Sequence, residues 1–480
     1  MKKSLIAIAV LGAAAFSAQA ANVTLYGTVD GGFMYKNAKV TVAGQQVGEK
    51  ESSFKSADGV DGANKIGIKG EEDIGNAKVG FKLENDFKLS NGNLGDKNKL
   101  FQREARLYVH NQFGELAAGR FGGLASAAGT YNIFFNNADA FDGGDNEINT
   151  GFVQSKRYDN SIAYQSPEIA GIQGTLMYSF QEKGEQKDKM KNNDRYIGAG
   201  LTFKQDALTL VGVFEGQIRN KADKDDDIKN AFTYNLGGNY DFGMAKVFGG
   251  FQYAHNVRFD EIKHYFDAAN TAKEFGGAGA QKLVDQRIAA FNKTYTDLND
   301  AGKPTADVEA EAADYLRNLN KLGNLDGADV LEADIKTVKK VGINAADAKH
   351  TIENSLGKVV TAGAGLLNKS AFNGYAFTLG SQIPFGANKV TVAGYYGNYK
   401  NAKAVGYTYE DSGDNKYAEL FGKKDIKLQV YGLDARYEYS LSKRTTLAAG
   451  AGIGQSKIKF AGENAKSKVA QVYAGLHHNF

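Results

Sequence analysis

The sequence predicts an all-β chain: a 16-stranded antiparallel transmembrane β-barrel with a helical insertion in one extracellular loop. Three observations predict it. The chain opens on an export signal, it repeats segments of about ten residues with alternating polarity, and the links between those segments are short and long by turns.

The opening "MKKSLIAIAVLGAAAFSAQA" has a basic start (Lys2, Lys3), an apolar stretch from Leu5 to Phe16 and the small-x-small site Ala18-Gln19-Ala20. This is the pattern of a secretory signal peptide over residues 1–20, with cleavage expected before Ala21. An anchoring helix is the competing reading, but the apolar run is short and no stop-transfer segment follows. Beyond it, no apolar run approaches the roughly 20 residues that a membrane-spanning helix needs. A closed barrel crosses a bilayer differently. Its backbone groups pair between strands, and only every second side chain must be apolar. Such a chain reads as hydrophilic on average, as this one does, with a mean hydropathy of −0.41.

Composition narrows the classes further. The chain has no cysteine and no tryptophan, only 3 prolines, and 58 glycines, 25 tyrosines and 29 phenylalanines. No disulfide framework or thiol chemistry is available to it. The formal charge of +3 falls to +1 without Lys2 and Lys3, so nothing declares a nucleic-acid partner.

The candidate strands follow in order. "NVTLYGTVDGGFMY" places Val23, Leu25, Gly27 and Val29 on one parity. In "NKIGIKGEEDIGNAKVGFKLENDF", Ile66 and Ile68 alternate with Lys65, Gly67 and Lys69, and Val79, Phe81 and Leu83 alternate with Lys78, Gly80, Lys82 and Glu84. Two such runs joined through 73–76 read as a hairpin. With 23–36, 64–72 and 77–87, further runs near 100–111, 115–121, 157–165, 172–182, 194–204, 207–218, 229–242, 245–257, 373–383, 389–400, 426–439, 445–456 and 467–480 complete the set. The links "NQFG", "SPEIAG", "QD", "DFGM" and "PFGAN" are short, whereas 37–63, 122–156, 183–193 and 401–425 are long. Pro167 and Pro384 fall in short turns, where a missing amide donor does no harm.

One block breaks the period. Over 258–370, Ile262, Phe266 and Ala269 recur at helical spacing, and four more series of that kind follow, separated by "EFGGAGA", "NDAGKP" and "KLGNLDGAD". The expected organisation is therefore a barrel over 21–257 and 371–480 and a helical extracellular subdomain over 258–370.

The stretches "VTLYGTVDGGF", "KIGIKGEEDIG", "FGELAAGRFGG", "RYDNSIAYQSP" and the final "GLHHNF" together resemble the general porins of Gram-negative outer membranes. The resemblance spans nearly the whole mature chain except the 258–370 block. It implies sixteen strands, a homotrimer, outer-membrane lipid and lipopolysaccharide as surroundings, and small hydrophilic solutes as cargo. It also implies that the last strand pairs with the first. Phe480, Leu476, Ala474 and Val472 form one apolar parity there, and the terminal aromatic is expected to be read by the barrel-assembly machinery.

In similar barrels the third extracellular loop folds inward and narrows the lumen. The matching segment here, about 122–156, carries Asp139, Asp142, Asp145 and Glu147, and lacks the family's usual Pro-Glu-Phe-Gly pattern. The opposing wall is expected to be basic. Lys65 and Arg120 match basic family positions, Lys82 and Arg106 have the polar parity of their strands, and Arg157 opens the next strand. Arg103 falls with the outward set on simple alternation, as does Arg120, unless a bulge at Gly119 re-aims it. Carboxylates facing guanidinium and ammonium groups across a narrow lumen would set up a transverse field that orders solutes and selects ions. Ordinary lumen or loop charges without selectivity are the plainer reading.

Other signals are weaker. Asp223, Asp225, Asp226 and Asp227 crowd one loop, but Ile228 and Tyr234 stand where an EF-hand needs Gly and Glu, so no metal site is expected. The six histidines lack metal spacing, and no phosphate-loop Lys-Ser/Thr follows a strand. No cofactor is expected, and no Ser/His/acid set marks an enzyme. The expectation is a passive, water-filled channel leaning toward anions. A barrel used for surface binding or adhesion, with the 258–370 block recognising a partner or capping the pore, is the second reading.

Overall fold

The computed structural model describes residues 22–42, 45–96, 98–127, 129–187, 189–220, 229–266, 370–402, 408–410, 417–419, 425–460 and 463–480. The signal peptide, the acid-rich stretch 221–228 and most of the 258–370 block lie outside the described residues.

The first half of the chain forms β1 (Thr24–Val42), β2 (Gln45–Asp58), β3 (Lys65–Asp73), β4 (Ala77–Asp86), β5 (Glu104–Asn111), β6 (Gly114–Gly122), β7 (Arg157–Gln165), β8 (Ile172–Ser179), β9 (Arg195–Gln205) and β10 (Leu208–Ile218). Then come β11 (Ala231–Asp241), β12 (Lys246–Arg258), β13 (Ala371–Phe385), β14 (Asn388–Asn401), a separate pair β15 (Thr408–Glu410) and β16 (Tyr417–Glu419), and β17 (Lys427–Ser440), β18 (Thr445–Phe460) and β19 (Glu463–Asn479). Each strand pairs antiparallel with its chain neighbours, and β19 pairs back on β1, from Thr28↔Asn479 to Val42↔Ala465. The seam is completed by Phe480 N–H donating to Gly27 O at 3.1 Å and Gly27 N–H to Phe480 O at 3.2 Å. No edge is left unpaired, which is what lets a sheet sit in a bilayer.

Seventeen segments share the main sheet, but β2 and β3 lie end to end against β1, so the barrel has 16 staves. Thr28 pairs with Lys65 and Gly31 with Asp58, and residues 59–64 tuck out of the ladder between them. The link expected over 37–63 is thus largely a hairpin that carries the sheet beyond the membrane. Its two faces both meet water, so no period-two signal marks it.

Parity sorts the side chains as period two requires. Phe33, Leu107, Leu116, Leu201, Leu236, Leu379, Leu433 and Ile453 are exposed on the outer face, while Asp30, Glu84, Glu104, Asn235, Gln252 and Asp434 are buried on the inner one. Short turns close one end. In the two-residue turn between β13 and β14, Gly386 sits at φ 62°, the left-handed geometry that tight hairpins need. Among the described residues no helix is long and apolar enough to cross a membrane.

Two segments fill part of the interior. The loop 123–156 contains the single described α-helical turn, Phe135–Ala138, and packs an aromatic cluster (Phe121, Tyr131, Phe134, Phe135, Phe152, Tyr158, Tyr196) against β6–β10. The second segment is the root of the 258–370 block. The helical spacing read there does not produce a helix at its first positions. Phe259–Glu261 is one 3-10 turn, and residues 262–266 run extended. Ile262 and Phe266 are buried nonetheless, because the strap is wedged between the loop and the wall and buries side chains on both sides. Ala269 lies outside the described residues.

Candidate pore constriction

The loop 123–156 is held to the wall by a chain of specific contacts. Gln252 and Val153 exchange two hydrogen bonds, Val153 N–H to Gln252 Oε1 at 2.7 Å and Gln252 Nε2 to Val153 O at 2.8 Å, so a side chain stands in for a strand partner. Asn239 Nδ2 donates to Asn137 O at 2.7 Å and Gln382 Nε2 to Ala140 O at 2.7 Å. The loop therefore follows the inner wall of β11–β14 and leaves the sector beside β1–β5 free of its aromatic core.

The four expected acids have distinct fates. Asp139 is buried and caps its own turn, accepting from Gly143 N–H at 2.6 Å and Gly144 N–H at 3.1 Å, and from Tyr395 OH at 3.0 Å. Burial raises its carboxyl pKa against those donors. Asp142 adopts φ 53° and accepts from Asn132 Nδ2 at 2.6 Å; burial pushes it up to about 8, Asn132 opposing and Asp139 adding to the rise. Asp145 accepts from Tyr473 OH and faces Arg436 Nη1 at 3.4 Å; burial carries it to about 6 against both partners. Glu147 bridges Lys36 Nζ at 2.9 Å and Lys55 Nζ at 3.0 Å, and those two ammonium groups outweigh burial and hold it low.

None of the four faces the expected basic wall. They fasten the loop to β1, β2, β13, β14, β17 and β19 instead. The reason is energetic: a carboxylate in a crowded interior needs a near partner, and the nearest partners are on the wall that the loop touches.

The basic residues also find their own acids. Lys82 Nζ meets Glu104 Oε2 at 2.7 Å and Thr130 Oγ1 at 3.2 Å. Arg103 Nε meets Glu84 Oε1 at 2.6 Å. Arg106 spans Glu104 Oε1 at 2.8 Å and Glu115 Oε1 at 2.6 Å, and stacks 4.4 Å from the Tyr108 ring centroid. Arg103 points inward because it precedes β5, where strand alternation does not yet apply. Arg157 stands near Arg103, Asp86 and Glu84, and Lys65 near Glu84, Arg103, Lys82 and Glu104. Among the described residues Lys65 makes no ion pair.

Arg120 is a correction. The ladder does slip between Gly119 and Phe121, but the extra residue is on β7, where Asn160 takes φ 49°. Arg120 thus keeps the outer parity of Leu116 and Ala118. Its guanidinium goes to Asp159 and, through Nε at 2.8 Å, to Gln102 O, beside Lys99, whose Nζ is 2.5 Å from Asp159 Oδ2. The opposed-charge picture of the constriction is replaced by a ladder of internally paired charges on β3–β6, with Glu84, Glu104 and Glu115 as members that alternation alone does not reveal. Parity shows which face they share; it does not show who pairs with whom.

The 59–64 tuck adds a second pole. Asp30 is fully buried and accepts from the N–H groups of Val60 (2.7 Å), Asp61 (2.9 Å) and Gly62 (2.7 Å), and faces His477 Nδ1 at 2.9 Å. This holds Asp61 out to Arg436 Nη2 at 2.9 Å. His477 therefore faces the lumen, while His478, with Thr445 Oγ1 at 2.9 Å, faces outward.

The strap roofs the other sector. Lys263 N–H donates to Phe152 O at 2.9 Å and Gly151 N–H to Lys263 O at 3.0 Å, a short ribbon inside the lumen. Tyr265 N–H donates to Ser456 Oγ at 3.0 Å, and Ser467 Oγ to Tyr265 O at 2.9 Å. The strap so runs from β12 to β18 and β19 as a chord, and Phe259, Ile262 and Phe266 fill the space beneath it with Phe372, Tyr399, Leu428, Val430 and Ile458.

A closed barrel with an inward loop and a charged, wet sector is the geometry of a channel, and the profile of the family described as Gram-negative porin matches residues 7–321. The chain belongs to the Gram-negative porin family. It is 30% identical over 317 residues to an outer membrane porin protein of Bordetella pertussis, covering 59% of this chain and 78% of that one. It is 28% identical over 377 residues to outer membrane porin protein 32 of Delftia acidovorans, covering 74% and 98%. Among solved structures it is similar to the anion-selective porin from Comamonas acidovorans, at 17% identity and a TM-score of 0.48 over 96% of this chain and 100% of that one. This porin is an outer-membrane channel protein of a Gram-negative bacterium, not an enzyme.

Proposed function

We propose that this porin is a passive diffusion channel for small hydrophilic solutes with a preference for small anions, and that it acts as a homotrimer. The observation that carries the preference is which member of each ion pair meets water. On the β3–β6 ladder the cation stands forward and the carboxylate behind: Lys82 is 22% exposed and its partner Glu104 2%. Arg103 is likewise more exposed than Glu84, and Lys65 adds to the same face an ammonium that forms an ion pair with none of the described residues. A solute in the free sector meets the positive end of each dipole.

Arg106 reverses the order against Glu115, and Arg436 against Asp61, so the preference is modest. The test is the reversal potential of the purified trimer in a planar bilayer under a salt gradient. Anion preference that moves toward cations in Lys65→Gln with Arg103→Gln supports the reading. Cation preference in the unaltered protein would overturn it, and a single-subunit mass on native analysis would overturn the trimer.

The 258–370 block is best read as a cap rooted in the lumen, because its first described residues close one sector by the strap contacts. The parity Phe480, Leu476, Ala474 and Val472 faces outward along the β1–β19 seam, in keeping with a strand presented to the barrel-assembly machinery.

A further inference from the structure

The outer face of the barrel carries a field of lysines that the channel does not use. Along β17, β18, β19 and β1 the outward parity is set by exposed Tyr431 and Leu433, Ile453, Val472, and Phe33 and Tyr35. Continued toward the long-loop end, the same parity runs into lysine on every one of these strands. The register places them opposite one another: Lys400↔Lys427, Lys427↔Lys459, Lys457↔Lys466 and Lys39↔Lys468. Like charges directly opposite in a sheet are destabilising. Four such oppositions side by side are a sustained penalty. Among the described residues one acid answers them, Asp425, 2.9 Å from Lys400 at the corner of the field.

We infer that this field binds the phosphate groups of the outer-leaflet glycolipid. Position selects that occupant. The lysines begin two to four residues beyond the lipid-facing Ala470, Ile453 and Tyr431, roughly 7–13 Å along the strands. That is the depth at which an apolar belt gives way to headgroups, and lysine stems can lie on the apolar surface while the ammonium groups reach out of it. The rings of Tyr396 and Tyr431, 5.1 Å apart, mark the boundary on the same face. A free anion would find the charge but leave the apolar belt below it unused. A second copy presenting the same face would be repelled. A lipid with several phosphates above several acyl chains satisfies both layers at once. The inference rests on the outer-membrane location of the barrel and not on its ion preference.

The test uses the intact protein in mixed micelles with bisphosphorylated lipid A, with lipid A stripped of its phosphates, and with inorganic pyrophosphate alone. The variant Lys427→Gln/Lys457→Gln/Lys459→Gln/Lys466→Gln should bind bisphosphorylated lipid A at least tenfold more weakly, while its single-channel conductance stays unchanged, showing an intact barrel. Lys443→Gln/Arg444→Gln, in the opposite turn, should bind as the unaltered protein does. Binding should also fall by a similar factor on dephosphorylation. Equal binding by the quadruple variant, or by dephosphorylated lipid, overturns the inference. Displacement of the lipid by an equal concentration of pyrophosphate makes the field a free-anion site and overturns the lipid assignment. Should the glutamine variant fail to fold, the same four positions changed to arginine must retain binding; loss there overturns it too.

Discussion

The wall from β3 to β6 and the wall from β12 to β18 look at each other across one lumen and present opposite chemistry to it. The first turns Lys65, Lys82, Glu84, Glu104, Arg106 and Glu115 inward; the second, in its upper half, turns in Ala254, Val257, Phe372, Tyr399, Leu428, Val430 and Ile458. Both walls obey the same two-residue period and the same outward apolar parity. What separates them is what stands in front. The charged wall faces water and keeps its groups paired, whereas the apolar wall faces the strap. A barrel lumen is thus not one environment. Its inner parity can build a pore lining on one side and a small protein core on the other, and the boundary between the two is drawn by loops.

Removing what stands in front of the apolar wall is the strongest way to break the comparison. Replacing 259–369 by a short linker takes out Phe259, Ile262 and Phe266 together and opens the roofed sector. Single-channel conductance should rise on the order of twofold, since conduction follows the open, wetted cross-section. Unchanged conductance would mean that this sector is closed by its own wall. A graded version is Phe259→Ala, a fully buried side chain, expected to loosen the strap by about 3–5 kcal/mol. Limited proteolysis of the strap would read it.

The charged wall should respond in the opposite way, in stability before conductance. Arg106→Gln leaves Glu104 and Glu115 without their shared cation. Breaking a buried pair from one side costs about 3–5 kcal/mol, seen as a lower denaturant midpoint. Lys65→Gln removes a cation that holds no ion-pair partner among the described residues. It should change stability by less than about 0.5 kcal/mol, while moving the reversal potential toward cations. If Lys65→Gln destabilises as much as Arg106→Gln, the division into paired and free cations is wrong.

The strap also carries a titrating group. Burial lowers the His264 imidazole to about 4, against an ordinary 6.5, with Asp260 and the Phe259 carbonyl pulling it back up and Lys263 pushing it further down. The undocked strap binds the proton more readily than the docked one. Docking is therefore fully supported above about pH 6.5 and loses support as pH falls toward 4. The whole window is worth on the order of 3 kcal/mol. Conductance should climb on acidification through this range, and His264→Asn should flatten the climb.

This contrast sets what the sequence could reveal. Period two located the strands well. The run 157–165 coincides with β7, and Leu433, Ile453 and Val472 fall on the outer face as alternation requires. It failed where that pattern has no cause. The 45–58 hairpin has water on both faces, and the strap has protein on both, so Ile262 and Phe266 kept a four-residue spacing without a helix. Ion pairs such as Lys82–Glu104 depend on register between strands, which no single strand records. Arg120 turned on which of two strands held the extra residue.

The smallest effect belongs to the loop between the two walls. Among the described residues Asp142 is held by Asn132 alone, and burial pushes its carboxyl up to about 8. Near neutral pH it is mostly uncharged, which fits a lumen whose forward charges are the cations of β3–β6. Raising the pH from 7 to 9 ionises it and adds one negative charge to the loop, so anion preference should weaken slightly over that interval. The change is small because mobile ions screen a single charge within about 8 Å at physiological salt. Asp142→Asn should remove the dependence while leaving the preference at pH 7 as it was. In the folded protein this carboxyl holds its proton more tightly than in the unfolded chain, so the same substitution should raise stability at pH values above its unfolded pKa of about 4. A drift with pH that survives Asp142→Asn would assign the titration to Asp145, whose carboxyl sits at about 6 beside Arg436, and would shift the expected window down accordingly.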